Sequence, residues 1–370
     1  MDILFIAFLA TWLSSTTLIR FARLHVHLSS DSVDGGPQKF HANSETPRIG
    51  GIPLLAGMLA GVALIKFHGH VIHPWLLILV AVPVWGLGIA EDLLKRIGPL
   101  PRLIGSFVSA GLGIWLLNAR ITHLGIPLID DWMAESFLIS ILFTLLAVGG
   151  LTHSINIIDG FNGLAGMVVI MILSALAYVC NEVGDRYLML YCLALIGATL
   201  GFLTWNYPLG LIFAGDGGAY LWGFMIAEIS VLLVSRNPQV SPWFPLLVVI
   251  YPVWETIFTI YRRKFLRGTG TGIADAIHLH SLVYRRLVRW MVGSREAADI
   301  TYRNSLTSPY LWVLASLSIA PSILFWNNTL MLVIFVGIFI SCYIALYAMI
   351  VRFRSPSWMV IRRPRNDPTD

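Results

Sequence analysis

Four short runs of polar residues interrupt an otherwise apolar chain, and their residue types suit work on phosphates. Glu91-Asp92 sets two acids side by side, with Lys95 about one helical turn further on. In Asn156-Ile-Ile-Asp159-Gly160-Phe161-Asn162-Gly163, three polar side chains recur at i, i+3 and i+6. On a helix they would fall within about 60° of one another. Gly160 and Gly163 would thin the backbone there and let a bulky ligand approach. Phe213-Ala-Gly215-Asp216-Gly217-Gly218 places one carboxylate among three glycines, with little steric cover. Asp275-Ala-Ile-His278-Leu-His280 carries two histidines that diverge on a helix but can address one ligand from an extended loop. Mg2+ takes one or two carboxylates and leaves its other positions to water and substrate phosphates, so Asp216 with one residue of the Asn156 run would suffice. Adjacent acids alone are weak evidence. Asp130-Asp131 reads as a solvated surface pair, and Glu91-Asp92 differs from it by its company. Glu228 and Glu255 fall inside apolar stretches, and Glu255, three residues after Pro252, is expected to line a cavity.

The elements that must carry these runs follow from composition. The chain has 370 residues, 57% hydrophobic and 12% charged, about half the charge of a soluble domain. A soluble enzyme, a disordered chain and a disulfide-knit domain are therefore excluded. A helix of ~20 apolar residues crosses a bilayer core, and the sequence predicts eleven such spans: 1–19, 49–65, 74–90, 103–119, 135–152, 163–180, 187–205, 218–235, 242–260, 309–326 and 330–351. None alternates as a membrane strand does, so the expected fold is an all-α polytopic membrane protein with ten or eleven helices. The first span begins Met1-Asp2 without a basic region and reads as a span, not a signal peptide. All basic residues but Lys66, Arg120, Arg186 and Arg236 fall on one side. The excess marks that side as cytoplasmic, with the N-terminus outside and the C-terminus inside. All four polar runs then share the cytoplasmic face, whose loops are 20–48, 91–102, 153–163, 206–217 and 261–308. Residues 1–351 form one transmembrane domain, and 352–370 a basic tail. In the large loop, Ser281–Val292 is expected to be a short interfacial helix with Arg285, Arg286 and Arg289 opposite Leu287, Trp290 and Met291. Cys180, Cys192 and Cys342 form no C-x-x-C pair and read as packing residues. The net charge of +5 is mostly this asymmetry, and the water-facing part is too small to bind nucleic acid.

A metal site, spare carboxylates and a basic rim at one membrane face suit phosphoryl transfer between a soluble nucleotide donor and a lipid phosphate. The motifs resemble those of the polyprenyl-phosphate N-acetylhexosamine-1-phosphate transferases, glycosyltransferase family 4. The family's D-D-x-x-K is similar to Glu91-Asp92-Leu-Leu-Lys95, and its N-x-x-D-G-[ILF]-[ND]-G-L to Asn156 through Leu164. F-x-G-D-x-G-S resembles Phe213 through Ala219, and the histidine loop resembles His278-Leu-His280. Thr46-Pro47-Arg48-Ile49-Gly50-Gly51 is similar to the family's T-P-x-x-G-G. The resemblance runs in order from about residue 40 to 290.

It implies transfer of an N-acetylhexosamine-1-phosphate from a UDP-sugar to undecaprenyl phosphate, releasing UMP, at the cytoplasmic face of a bacterial inner membrane. It implies Mg2+, or Mn2+ in its place, held by Asp216 and Asn156, with Glu91, Asp92, Asp159 and Asn162 as the catalytic set. The paired acids would act as base, nucleophile or positioning groups, with direct in-line attack preferred because a phosphate monoester is already mostly ionised. Lys95, Arg48, His278, His280, Arg285 and Arg286 would bind substrate. Membrane lipids and a second copy in a homodimer are the further partners expected. Glu91 replaces the family's first aspartate, Asn162 the acid of the cell-wall enzyme, and Ala219 the usual serine, and the run of three histidines is missing. These departures point away from a MurNAc-pentapeptide substrate and toward priming of a surface polysaccharide such as O-antigen. Two other readings stay open: a transporter or flippase of lipid-linked sugar, and an inactive homologue that binds lipid phosphate.

Overall fold

The computed structural model describes residues 1–30, 46–67, 73–267, 278–288 and 297–352, and these contain helices and no strand. The elements are α1 (Asp2–Arg20), α2 (Ala22–Ser29), α3 (Gly51–Phe67), α4 (Leu76–Leu94), α5 (Pro99–Leu117), α6 (Pro127–Glu135), α7 (Phe137–Ile158), α8 (Leu164–Glu182), α9 (Arg186–Asn206), α10 (Gly215–Arg236), α11 (Trp243–Val248), α12 (Ile250–Tyr261), α13 (Leu279–Val283), α14 (Ala297–Leu324) and α15 (Thr329–Val351). Among the described residues, nine helices are long and apolar enough to cross a membrane: α1, α4, α5, α7, α8, α9, α10, α14 and α15. The chain is a multi-pass membrane protein. Nine of the eleven expected spans are these helices, and the other two take shorter forms. α3 is apolar but has 17 residues, and the stretch 242–260 is two helices that meet at Val249. Pro252 explains the break, since it has no N–H to give the carbonyl of Val248.

α10 is the axis of the bundle. Its residues from Gly215 to Leu233 are all buried, as befits a helix apolar on every side. α3, α4 and α7 pack around it, while α1 and α9 pack together on the far side of α3. Lipid tails are as apolar as leucine, so helices in a membrane associate through close backbone approach at small residues. The approach is tightest where chemistry was expected. A Cβ on Gly88 would come 2.6 Å from the Cα of Gly217, and one on Gly51 would come 2.6 Å from the amide nitrogen of Gly218. Two glycine-to-glycine contacts thus bring α3 and α4 against the first turn of α10. The glycines around Asp216 serve this packing; they do not leave its carboxylate uncovered.

The interfacial helix expected over Ser281–Val292 takes a different form. α13 has five residues and passes into a π-helical turn, Tyr284–Val288. Tyr284, Leu287 and Val288 are buried in the protein, packed beside α14, instead of facing a membrane surface. Arg289, Trp290 and Met291 lie outside the described residues, as does Asp275. Cys180 and Cys192 are buried free thiols, and Cys342 is an exposed one.

Candidate active site

Asp216, in the first turn of α10, is 2% exposed and lies at the centre of the polar groups. Its Oδ1 accepts from Arg48 Nη2 at 2.6 Å and from Asn156 Nδ2 at 3.1 Å. Its Oδ2 accepts from the Arg102 guanidinium and from the Tyr220 hydroxyl, the latter at 3.3 Å. Backbone pairing delivers Arg48. The amides of Gly50 and Gly51 donate to the carbonyls of Phe213 and Ala214, and the Phe213 amide donates back to Pro47. The Thr46–Gly51 stretch is thereby fastened beside the Asp216 turn.

Asp92 is equally buried, and its two oxygens accept the amides of Asp216 at 2.8 Å and Gly217 at 2.9 Å. A carboxylate from α4 therefore caps the N-terminus of α10, where backbone amides lack partners and a negative charge is favoured. Arg48 Nε lies 3.7 Å from the same carboxylate. Glu91 goes elsewhere: its Oε2 accepts the Ile97 amide at 2.6 Å and closes the turn after α4. Lys95, exposed in the left-handed conformation at the end of α4 (φ 54°), is not among the partners of Asp216.

The Asn156 run was expected to keep one helical face as far as Asn162, and it does not. α7 ends at Ile158, and Gly163 takes φ 72°, a left-handed value that glycine adopts without penalty. Asn156, still in the last turn of α7, reaches Asp216. Asn162 is turned into the protein, its Nδ2 donating to the Pro208 carbonyl at 3.0 Å and its amide to Asn304 Oδ1 at 2.8 Å. Nor do the glycines leave room for a ligand. Gly160 faces His280, and Gly163 faces the ring of Tyr207. Asp159 lies in the turn between α7 and α8. Desolvation pushes its pKa up to about 7; Arg48 draws it back, and the charge of Asp216 adds to the rise.

The histidine loop closes on this turn from outside. The ring of His278 stacks on that of His280, with centroids 5.1 Å apart and planes 10° from parallel. A Cβ on Gly160 would lie 3.2 Å from His280 Nε2, and Phe161 meets His280 edge-on at 5.5 Å. Arg285 and Arg286 are partly buried, and Arg286 donates to the carbonyls of Ile350 and Val351 at the end of α15. The structure thus gathers Arg48, Asp92, Asn156 and Asp216, with Asp159 and His280 adjoining. It directs Glu91, Asn162 and Arg286 to other partners.

Three neighbours were not among the candidates. Arg102 reads in the sequence as one more cytoplasmic cation. Tyr220 stands one helical turn beyond Asp216 at i+4, and His153, whose ring packs 4.9 Å from that of Tyr220, precedes Asn156 at i−3. Both spacings were open to reading. Among the described residues no group of three or more His, Cys, Asp or Glu side chains could hold an ion alone. An ion at Asp216 would have to displace Arg48 or Arg102 and turn the Asn156 amide, whose NH2 now faces the carboxylate, and would take its other ligands from substrate phosphates and water.

An apolar cavity of about 680 Å³ lies elsewhere in the bundle, and none of Arg48, Asp92, Arg102, Asn156 or Asp216 lines it. It runs between α7, α10 and α12, from Arg120 and His123 at one end to Ser154 and Ile260 at the other.

Comparison with known proteins matches residues 74–234 to the family Glycosyl transferase family 4, to which the chain is similar over that stretch. A probable undecaprenyl-phosphate N-acetylglucosaminyl 1-phosphate transferase of Bacillus subtilis is 25% identical over 306 residues, covering 80% of each chain. A phospho-N-acetylmuramoyl-pentapeptide-transferase of Geobacillus kaustophilus is 28% identical over 298 residues, 77% of this chain and 88% of the relative. One from Streptococcus pneumoniae is 26% identical over 273 residues, 72% and 81%.

Proposed function

We propose that this protein transfers an N-acetylhexosamine-1-phosphate from a UDP-sugar to undecaprenyl phosphate, leaving a polyprenyl-diphosphate sugar and UMP. The observation that carries this reading is Asp216, held between two guanidiniums and an amide where apolar helices converge. That juxtaposition suits two substrates of opposite solubility. A lipid phosphate brought to Asp216 would meet the arginines while its tail stays against the apolar faces of the surrounding helices. Arg48 and Arg102 would then exchange part of their pairing with Asp216 for phosphate oxygens, for which a guanidinium fork is well shaped.

Asp216 and Asn156 would hold Mg2+, or Mn2+, which when bound supplies charge neutralisation at the donor diphosphate. Asp92 is best read as a positioning group, because both of its oxygens are taken up by the backbone that aims Asp216. Phosphoryl transfer rests chiefly on such positioning and on charge stabilisation. Glu91 acts in the turn after α4, where its extra methylene lets it reach Ile97. Residues 1–351 act as one transferase domain, with the charge asymmetry supporting a cytoplasmic active site in a bacterial inner membrane. The departures at Asn162 and Ala219 favour a simple N-acetylhexosamine and the priming of a surface polysaccharide.

The test is UMP release by purified protein given undecaprenyl phosphate, Mg2+ and a panel of UDP-sugars. UMP with one N-acetylhexosamine, abolished by EDTA and by Asp216→Asn, is the expected result. A folded protein that binds the lipid and releases no UMP with any donor would overturn the assignment.

A further inference from the structure

Glu255 lies in α12, 1% exposed, and takes no part in the chemistry just described. Its surroundings were expected to be a cavity wall; they are instead a set of donors drawn from three elements. Oε1 accepts from His278 Nδ1 at 3.1 Å and from the Leu279 amide at 3.1 Å. Oε2 accepts from the Tyr343 hydroxyl of α15 at 2.7 Å. Three donors converging on one carboxyl group is the pattern of an ionised carboxylate, which can only accept. It follows that His278 carries a hydrogen on Nδ1, shared at 3.2 Å with the Thr259 hydroxyl. The imidazole is fixed in tautomer and in plane. His280 stacks parallel on that plane and lies against Gly160, beside Asp159.

The geometry points to Glu255 as the positioning residue of the histidine pair: from within the bundle it sets the tautomer of His278 and the start of α13, and through the stacked rings it sets where His280 meets the Asp159–Gly160 turn. This rests on the transferase reading only for which substrate feels the effect. His278 packs against Glu255 and Thr259 of α12, and His280 against the Asp159–Gly160 turn that follows Asn156, where the donor diphosphate is proposed to bind, so the donor is the substrate they serve. What Glu255 supplies is reach and acceptor geometry. A glutamine has both: its amide oxygen can accept the two Oε1 donors while its NH2 donates to the Tyr343 oxygen. An aspartate keeps the charge but falls one methylene short.

The experiment compares the wild-type full chain with Glu255→Gln and Glu255→Asp, two variants that disturb packing little. Expected for Glu255→Asp is a rise of about tenfold or more in the KM for the UDP-sugar. The KM for undecaprenyl phosphate should stay within about twofold in the same variant, because only the donor-side groups move. Glu255→Gln is expected to match wild type on both. A general loss of packing would lower the melting temperature and the active fraction without separating the two KM values. In parallel, nitrogen NMR of 15N-histidine-labelled protein, with His278 identified by His278→Gln, reads the tautomer directly. The Nδ1–H form should persist in Glu255→Gln and be lost in Glu255→Asp. An impaired Glu255→Gln beside a normal Glu255→Asp would overturn the inference in favour of a role for charge, and unchanged kinetics and tautomer in both would overturn it outright. Should wild type release no UMP, the transferase reading falls, and the tautomer measurement still decides whether Glu255 positions the pair.

Discussion

Asp92 and Glu228 are two carboxyl groups buried to the same degree against the same helix, and they are treated in opposite ways. Asp92 reaches α10 from outside and has both oxygens filled by backbone amides, with Arg48 close by. Glu228, on α10 itself, is 0% exposed, and among the described residues neither of its oxygens has a hydrogen-bond partner. Its nearest described feature is Gly113 of α5, whose missing side chain makes the room; a Cβ there would lie 2.7 Å from Glu228 Cδ. Burying a carboxyl group is costly unless donors compensate it. The first group is compensated and therefore organises its surroundings. The second is accommodated by space alone. Burial by itself thus does not mark a working carboxylate; the donors around it do.

The sharpest way to break this contrast is Asp92→Asn. An amide oxygen can accept, but its NH2 then faces a backbone N–H, so one of the two caps is lost and Arg48 loses a counter-charge. Under the proposed activity, turnover falls about 10²-fold, the scale of losing one preorganised electrostatic contact. Stability falls by about 1–3 kcal/mol, the cost of leaving a buried donor unpaired. UMP release and thermal unfolding in detergent measure the two. Wild-type values in both would mean that Asp92 does not hold the start of α10.

Glu228→Met is expected to act in the other direction. It removes two unpartnered oxygens and keeps the length of the side chain, so the protein should gain about 1–3 kcal/mol with no change in turnover. A lowered melting temperature would show that Glu228 has a partner after all, and the comparison would then be between two compensated groups.

How much of this was legible in the sequence differs from residue to residue. The one-sided distribution of basic residues puts Arg48, Asp92, Asn156 and Asp216 at one membrane face, and they do meet. The fault at Asn162 came from extending one helical register through Gly160 and Gly163, where the chain leaves the helix. Arg102 was hidden because a cation in a cytoplasmic loop needs no other explanation. The break at Val249 was carried by Pro252, which reads equally as a mid-helix kink until the preceding carbonyl is located. Glu255 was picked out by its depth, but its partners lie 23 and 88 residues away, and no local spacing encodes them.

Asp159 falls between the two extremes and gives the finest test. Among the described residues its carboxyl group takes no hydrogen bond, yet Arg48 acts on it through space. Its folded-state pKa, about 7, lies above the ordinary value of 3.8. Between those two values the unfolded chain has released a proton that the folded chain still holds. Folding stability therefore falls as pH rises from about 4 to about 7 and levels off above that, with the full contribution present only below the unfolded value. Asp159→Asn removes the titration. The melting temperature of the variant should change less across that window than the wild type's, with the two curves separating most at the alkaline end, where the variant is the more stable. Superimposable curves would mean that Asp159 is as well compensated as Asp92; a steeper variant curve would mean that its charged form is the one the fold prefers. Because Arg48 is shared, Arg48→Gln should deepen the wild-type slope in the same window, which tests whether a guanidinium at a distance can do part of what two backbone amides do for Asp92.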